Sequence, residues 1–203
     1  MKGREKTFLF FLVAIMTANL CACRQQPLTQ EAAAVGTVLV TVNGEPILKA
    51  EIDPVYEEYI ESDITYEQII EDTIDEILVI QQAPKYKLSV SETDVDESIE
   101  FYKITYPEMY QELSETYTEK EIRKKLKDRL LFSMVRDYAI EHICLVDHQL
   151  IQKFTKAYGL EEQLKGYTDE QIKYTLDSEL QDFAVKQWTK DLRKQAEIVY
   201  TAS

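Results

Sequence analysis

Thr118 to Ala139, TEKEIRKKLKDRLLFSMVRDYA, carries both signals that define an amphipathic helix. Thr118-Glu-Lys-Glu121 is a capping box, in which a hydroxyl and a carboxylate three residues apart each satisfy the other's backbone N–H. Ile122, Leu126, Leu130, Leu131, Met134, Val135, Tyr138 and Ala139 follow at helical spacing, so one stripe is apolar and the opposite face is charged. Such a stripe is stable only when other elements cover it, so the flanking sequence should supply more helices.

It does so on both sides. Upstream, Ser91-Glu-Thr-Asp94 is an N-cap signature, and it places Val95, Ile99, Tyr102 and Phe101 on the buried side of a helix that ends before Pro107. A short segment from Met109 to Tyr117 leads into the long helix. Earlier still, Ile69, Ile70, Ile74, Ile77, Leu78 and Gln81 mark a helix that Pro84 should stop, because proline lacks a donor and clashes with the preceding turn. Before that, Ile52, Val55, Tyr56, Tyr59 and Ile60 form one stripe from Lys49 onward, ended by Ser62-Asp63. Downstream, the connecting region 143–166 holds a helix over Gln149–Tyr158 with Gly159 as its C-cap. Thr168-Asp-Glu-Gln171 opens the last helix, with Ile172, Leu176, Leu180, Phe183, Ala184, Trp188 and Leu192 at its core-facing positions and Ala196 near its end.

Two short β-branched runs stand at either end of these helices. Val38-Leu-Val-Thr-Val42 precedes Asn43-Gly44, the dipeptide of tight hairpin turns, and Ile47-Leu48 begins a return strand. Ile198-Val-Tyr200 reads as a terminal strand. Isolated short strands are unstable, so the economical arrangement pairs the first with the last. The expected fold is mainly α, with a small β element joining the N-terminal hairpin to the C-terminal strand.

With 203 residues, 45% hydrophobic and 30% charged, the chain supports one compact unit, placed over residues 38–203. Lys+Arg 23 against Asp+Glu 37 gives a net charge of −14, which opposes binding to a phosphate backbone and makes nucleic acid an unsuitable partner. Five glycines and five prolines are too few for Gly-rich phosphate loops or a turn-rich β fold.

The first 22 residues read as a secretory signal: Lys2, Arg4 and Lys6 precede the apolar run Phe8 to Met16, which is too short to span a bilayer. Leu20-Cys21-Ala22-Cys23 resembles a bacterial lipobox, which makes Cys23 the lipidated first residue of the mature chain. Cys21 competes for that role, but it follows the bulky Leu20. A third reading makes both cysteines passengers in an ordinary signal or an uncleaved anchor, and export is expected in every case. Residues 23–37 then form a flexible tether to the envelope membrane, at the outer face of the cytoplasmic membrane or the periplasmic membrane face. The acidic mature chain should touch that membrane through the lipid alone.

Candidate chemistry is sparse. His142 and His148 lie six positions apart and do not share a helical face, so no metal site is expected. Cys144 has no basic cluster beside it and reads as an inert buried thiol. The acidic groups Glu57-Glu58, Glu61-Asp63 and Glu92-Asp94-Asp96-Glu97 lack the Gly-centred spacing of a calcium loop and read as solvated helix faces. Neither a catalytic residue nor a cofactor is expected. The feature that stands out is aromatic: Phe101, Tyr102, Ile104, Tyr106, Met109, Tyr110 and Tyr117 crowd the junction of two helices. Such side chains can line an adaptable peptide-binding cleft, or they can simply pack those helices onto the long one. Trp188 reads as core.

Three segments together resemble the N-terminal chaperone domain of the SurA and PrsA-type extracytoplasmic foldases. They are Val42-Asn-Gly-Glu-Pro-Ile47 with Lys49-Ala-Glu-Ile-Asp53, then Ile74 to Ala83 with Leu88-Ser-Val-Ser-Glu-Thr-Asp-Val-Asp96, and finally Trp188 to Ile198. The resemblance implies a helical domain closed by its last helix, which binds unfolded or extended exported polypeptides without ATP. In that family a parvulin-type prolyl isomerase domain is often inserted, and it needs on the order of a hundred residues. The stretch 143–168 is far shorter, so isomerase activity is not expected, and Glu141-His-Ile-Cys-Leu-Val146, which faintly resembles the first parvulin strand, reads as a helix end. The other functional classes are a structural or adaptor lipoprotein holding one envelope or secretion partner, and a prolyl isomerase. A homodimer by exchange of terminal elements is also compatible with the pattern.

Overall fold

A computed structural model describes residues 36–201. The signal, Cys23 and most of the tether lie outside the described residues. In chain order the elements are β1 (Val38–Val42), β2 (Glu45–Leu48), α1 (Lys49–Tyr59), α2 (Tyr66–Ile80), α3 (Ala83–Tyr86), α4 (Glu92–Thr105), α5 (Pro107–Thr116), α6 (Glu119–His142), α7 (His148–Ala157), α8 (Asp169–Gln195) and β3 (Ile198–Tyr200). The fold is mainly α with a small antiparallel sheet. No helix among the described residues is long and apolar enough to cross a membrane.

The described chain divides into two compact units. The first comprises residues 36–77, 90–128 and 197–201 of the described chain, and the second Leu78–Ser89 and Arg129–Ala196, with the divisions falling inside α2 and α6.

The first unit is organised by its sheet, in which β1 lies between β2 and β3. Asn43 and Gly44 take φ of 52° and 86°, the two positive values that a two-residue turn between twisted strands demands. A Cβ at Gly44 would meet nothing within 4 Å, so backbone conformation and not space selects glycine there. The register pairs Val42 with Glu45 and Val40 with Ile47, and a bulge at Leu39 brings Val38 opposite Leu48. On the other edge, Val40, Thr41 and Val42 face Tyr200, Val199 and Ile198. The expected pairing of the two ends is therefore present, and it buries Val40, Val42 and Ile47. Tyr200 ties β3 to α2 by donating its hydroxyl to Glu71 Oε1 at 2.6 Å.

The helices of this unit begin where their caps say. The Glu51 carboxylate accepts the Leu48 N–H at 2.8 Å at the start of α1. Ser91 Oγ accepts the Asp94 N–H at 3.2 Å, and Asp94 returns a bond from the Ser91 N–H at 2.7 Å. Thr118 and Glu121 close the predicted box at α6, the Thr118 N–H reaching Glu121 Oε2 at 2.8 Å. Ile52 and Val55 of α1, Ile69 and Ile74 of α2, Val95, Ile99 and Tyr102 of α4, Leu113 of α5, and Ile122 and Leu126 of α6 are buried. Ile60 differs from expectation: α1 ends at Tyr59, and Ile60 is exposed.

In the second unit α2 ends at Ile80, ahead of Pro84 as the sequence reading expects, and Pro84 itself occupies the first turn of α3, where a missing N–H leaves no bond unmade. Lys87, with φ of 58°, ends that short helix. Val79, Ala83 and Val135 form one cluster with Tyr86, Leu88, Leu131, Phe132 and Trp188 packed on it, so Trp188 is a half-buried flank of the core. Met134, assigned to the buried stripe, faces solvent.

The end of α6 is held by the Ile143 and Cys144 N–H groups, both donating to the Ala139 carbonyl, so Glu141–Val146 is a helix end followed by a turn and irregular chain. Asp147 caps α7 by accepting the Leu150 N–H at 2.8 Å. Gly159, with φ of 65°, closes α7: the Leu160 N–H reaches the Thr155 carbonyl at 2.8 Å and the Gly159 N–H reaches Lys156 at 3.3 Å, a Schellman pair. α8 starts at the predicted Thr168 cap and bends at Leu176, where φ of −126° and ψ of 30° leave the helical region. Ile151, Phe154, Ile172, Leu180 and Phe183 make the core between α7 and α8. Arg136 of α6 donates to Asp182 of α8 at 2.6 Å.

Candidate functional site

The seven residues singled out at the helical junction all fall in the first unit, on α4, on α5 and at Tyr117 just beyond α5. Pro107 makes the junction. It disfavours a helical Tyr106, whose φ of −135° and ψ of 59° break the axis, and it opens α5 at a position that needs no donor. The result is a helical hairpin whose hinge is aromatic.

Tyr102 is buried, and it belongs to the core with Val95 and Ile99. Phe101, expected on that same side, points outward instead and is 54% exposed. Ile104, three positions on and thus its neighbour on the helix surface, is 78% exposed. Tyr106, Met109, Tyr110 and Tyr117 are half-buried. Phe101, Tyr102 and Tyr106 form a triangle of rings, with centroids 5.9 Å, 5.9 Å and 6.0 Å apart and the Phe101 ring edge-on to both tyrosines. This is the favourable arrangement for aromatic quadrupoles, so the exposed ring is held in place by the buried one.

Two lysines show how the tyrosines treat cations. Lys103 Nζ lies 5.4 Å from the Tyr110 ring centre and 3.0 Å from Glu100 Oε1, and the Glu100 bond pushes its pKa up. Lys125 Nζ lies 4.7 Å from the Tyr117 ring centre, and burial pushes its pKa down. Both sit within cation–π range.

α4 is strapped to α6 by charge. Arg123 forks to Glu92 at 2.9 Å and Asp96 at 2.7 Å, and Lys127 reaches Glu92 at 3.0 Å. These partners hold the Glu92 carboxyl below its ordinary range, the Arg123 hydrogen bond first and then Lys127. A cleft of about 480 Å³ between the two helices is lined by Glu92, Glu119, Lys120, Arg123, Lys124 and Lys127. Most of its cations are already bonded to carboxylates, so the cleft is a seam of ion pairs.

The remaining candidates are structural. Cys144 is buried beside Ala139 and Ala184, and burial pushes its thiol up to about 11, far from a nucleophile's range. His148 Nδ1 meets Asp169 at 2.9 Å and its Nε2 meets Gln152, joining the first turns of α7 and α8. His142 packs against the Tyr138 ring at 4.4 Å. Among the described residues no group of three or more His, Cys, Asp or Glu is placed to hold a metal ion.

Sequence reading identified the hairpin's residues but not their orientation. Helical phase puts Phe101 and Tyr102 at adjacent angles of one helix, and only the packing decides which is covered. Asp147 and the buried Thr189, whose hydroxyl bonds the Val185 carbonyl at 3.0 Å, were not singled out from the sequence. Asp147 had a usable signal, an Asx residue immediately before an apolar period. No protein-family model matches the sequence, and no curated protein matches it.

Proposed function

We propose that this chain is a lipid-anchored, ATP-independent chaperone of the bacterial cell envelope that holds extended apolar segments of exported polypeptides on the α4–α5 hairpin. The observation that carries the reading is the pair Phe101 and Ile104, two large apolar side chains held outward side by side on a helix whose opposite face is committed to the core. Solvent gains nothing from such a pair, and its position at an aromatic hinge suits weak, reversible burial of a client side chain. The lipobox-like Leu20 to Cys23 and the three foldase-like segments support the location and the class.

The test is suppression of light scattering by an aggregating, chemically unfolded client. The purified protein is expected to slow aggregation at near-stoichiometric ratio, and the Phe101→Ala/Ile104→Ala double variant to lose most of that effect while keeping its melting temperature. No suppression by the wild-type protein, or equal suppression by both proteins, removes the reading.

A further inference from the structure

The same hairpin carries information about which polypeptides it would select, and this inference rests on the reading above. Residues 92–116 contain eight acidic side chains and a single base, Lys103. Glu92 and Asp96 are engaged by Arg123 and Lys127, and Asp94 by the α4 cap. Glu100 holds Lys103 and Glu115 accepts from Gln111, and these two carboxylates together with those of Glu97, Glu108 and Glu112 all lie on exposed residues. Glu97 and Glu100 stand one helical turn before Phe101 and Ile104 respectively, in direct line with them on the helix surface. Glu108 lies in the first turn of α5, just past the hinge. With a screening length of about 10 Å at 0.1 M ionic strength, a chain lying across Phe101 and Ile104 is within the field of these groups.

The hairpin also shows, with a lysine of its own, how a cation is seated among these side chains. Its own Lys103 rests between a carboxylate and a tyrosine ring, Glu100 and Tyr110. Apolar contact at Phe101 and Ile104 with carboxylates alongside is complementary to a segment in which aromatic or aliphatic residues alternate with Lys or Arg.

We infer that the α4–α5 surface selects cationic, apolar segments of unfolded polypeptide and discriminates against acidic ones. The experiment is fluorescence anisotropy with three labelled peptides that share one apolar, aromatic core and differ only in flanking residues, which are all Lys, all Gln or all Glu. The expected result at low salt is binding of the Lys peptide about tenfold tighter than the Gln peptide, with the Glu peptide weaker again, and a gap that narrows as salt is raised. In the Glu97→Gln/Glu100→Gln/Glu108→Gln variant the Lys and Gln peptides should converge, whereas Phe101→Ala/Ile104→Ala should weaken all three.

Equal binding of the three peptides overturns this inference and leaves the chaperone reading standing. A Lys preference that survives the triple Gln variant also overturns it, because the preference then comes from the net charge of −14 and not from this surface. Binding of no peptide, together with no suppression of aggregation, removes the chaperone reading itself.

Discussion

Asn43 and Glu197 are bonded to each other twice. The Asn43 N–H donates to the Glu197 carbonyl at 2.8 Å, and the Asn43 side-chain oxygen accepts the Glu197 N–H at 2.8 Å. One residue thus supplies the left-handed turn of the hairpin and fastens the segment that leads into β3. Asn43→Ala is expected to cost about 2 kcal/mol, from one lost hydrogen bond and from alanine's poorer tolerance of the left-handed φ of 52°, which the short polar asparagine side chain eases. Asn43→Gly keeps the conformation but not the acceptor and should cost about half as much. Urea unfolding followed by circular dichroism ranks the two.

Tyr66 of α2 donates its hydroxyl to Asp53 of α1 at 2.8 Å, and Lys49 holds the same carboxylate at 2.6 Å. Burial first, and then Asp53, pushes the Tyr66 phenol up to about 12 from its ordinary 10.0. A phenol whose pKa rises on folding contributes stability that is complete below pH 10 and disappears as pH climbs toward 12. Tyr66→Phe should therefore lower stability by about 1 kcal/mol at neutral pH, with the deficit shrinking through that alkaline window. Melting temperatures of both proteins from pH 8 to 12 measure it.

Arg123 and Glu92 make the opposite prediction. The Glu92 carboxyl is held below its ordinary 4.5, so its contribution is complete above that value and is lost as pH falls through the lowered one. Arg123→Gln should destabilise the protein near neutrality, and its difference from wild type should close below pH 4.5 and also in high salt, because both residues reach solvent. Thermal melts at pH 7 and pH 3.5, each with and without 1 M salt, give the four values needed.

Cys144 should behave as a reporter of opening. Buried against Ala139 and Ala184, with a thiol pushed up to about 11, it should resist alkylation at pH 8 in the folded protein and react fully in denaturant. Peptide mass mapping assigns the label to Cys144. Fast labelling without denaturant would show that this part of the second unit opens readily.

Local chemistry made much of this fold legible. The Asn-Gly turn, the caps at Ser91, Thr118 and Thr168, and the stop at Gly159 each depend on a few adjacent residues, and all are realised as hydrogen bonds or positive φ values. The pairing of β1 with β3 also followed, since neither strand is stable alone. What escaped depends on distant neighbours. Helical phase does not say whether Ile60, Phe101 or Met134, each at the margin of an apolar stripe, is covered, because that is decided by the element lying opposite. The bend at Leu176 has no proline or glycine to announce it. Pro84 announced the end of α2 but not the short α3 that it also opens, because the same ring that bounds one helix is welcome at the start of the next. The hairpin's residues were readable as a group for a local reason: Pro107 forces the reversal that gathers them.

The order of strands in the sheet bears on how the molecule comes into being. Synthesis and export alike deliver β1 and β2 ahead of β3, so the outer partner of β1 arrives last, after the interval that α1 to α8 impose. Throughout it a nascent strand rich in valine shows a bare edge to its surroundings, the circumstance in which one chain can borrow a strand from another.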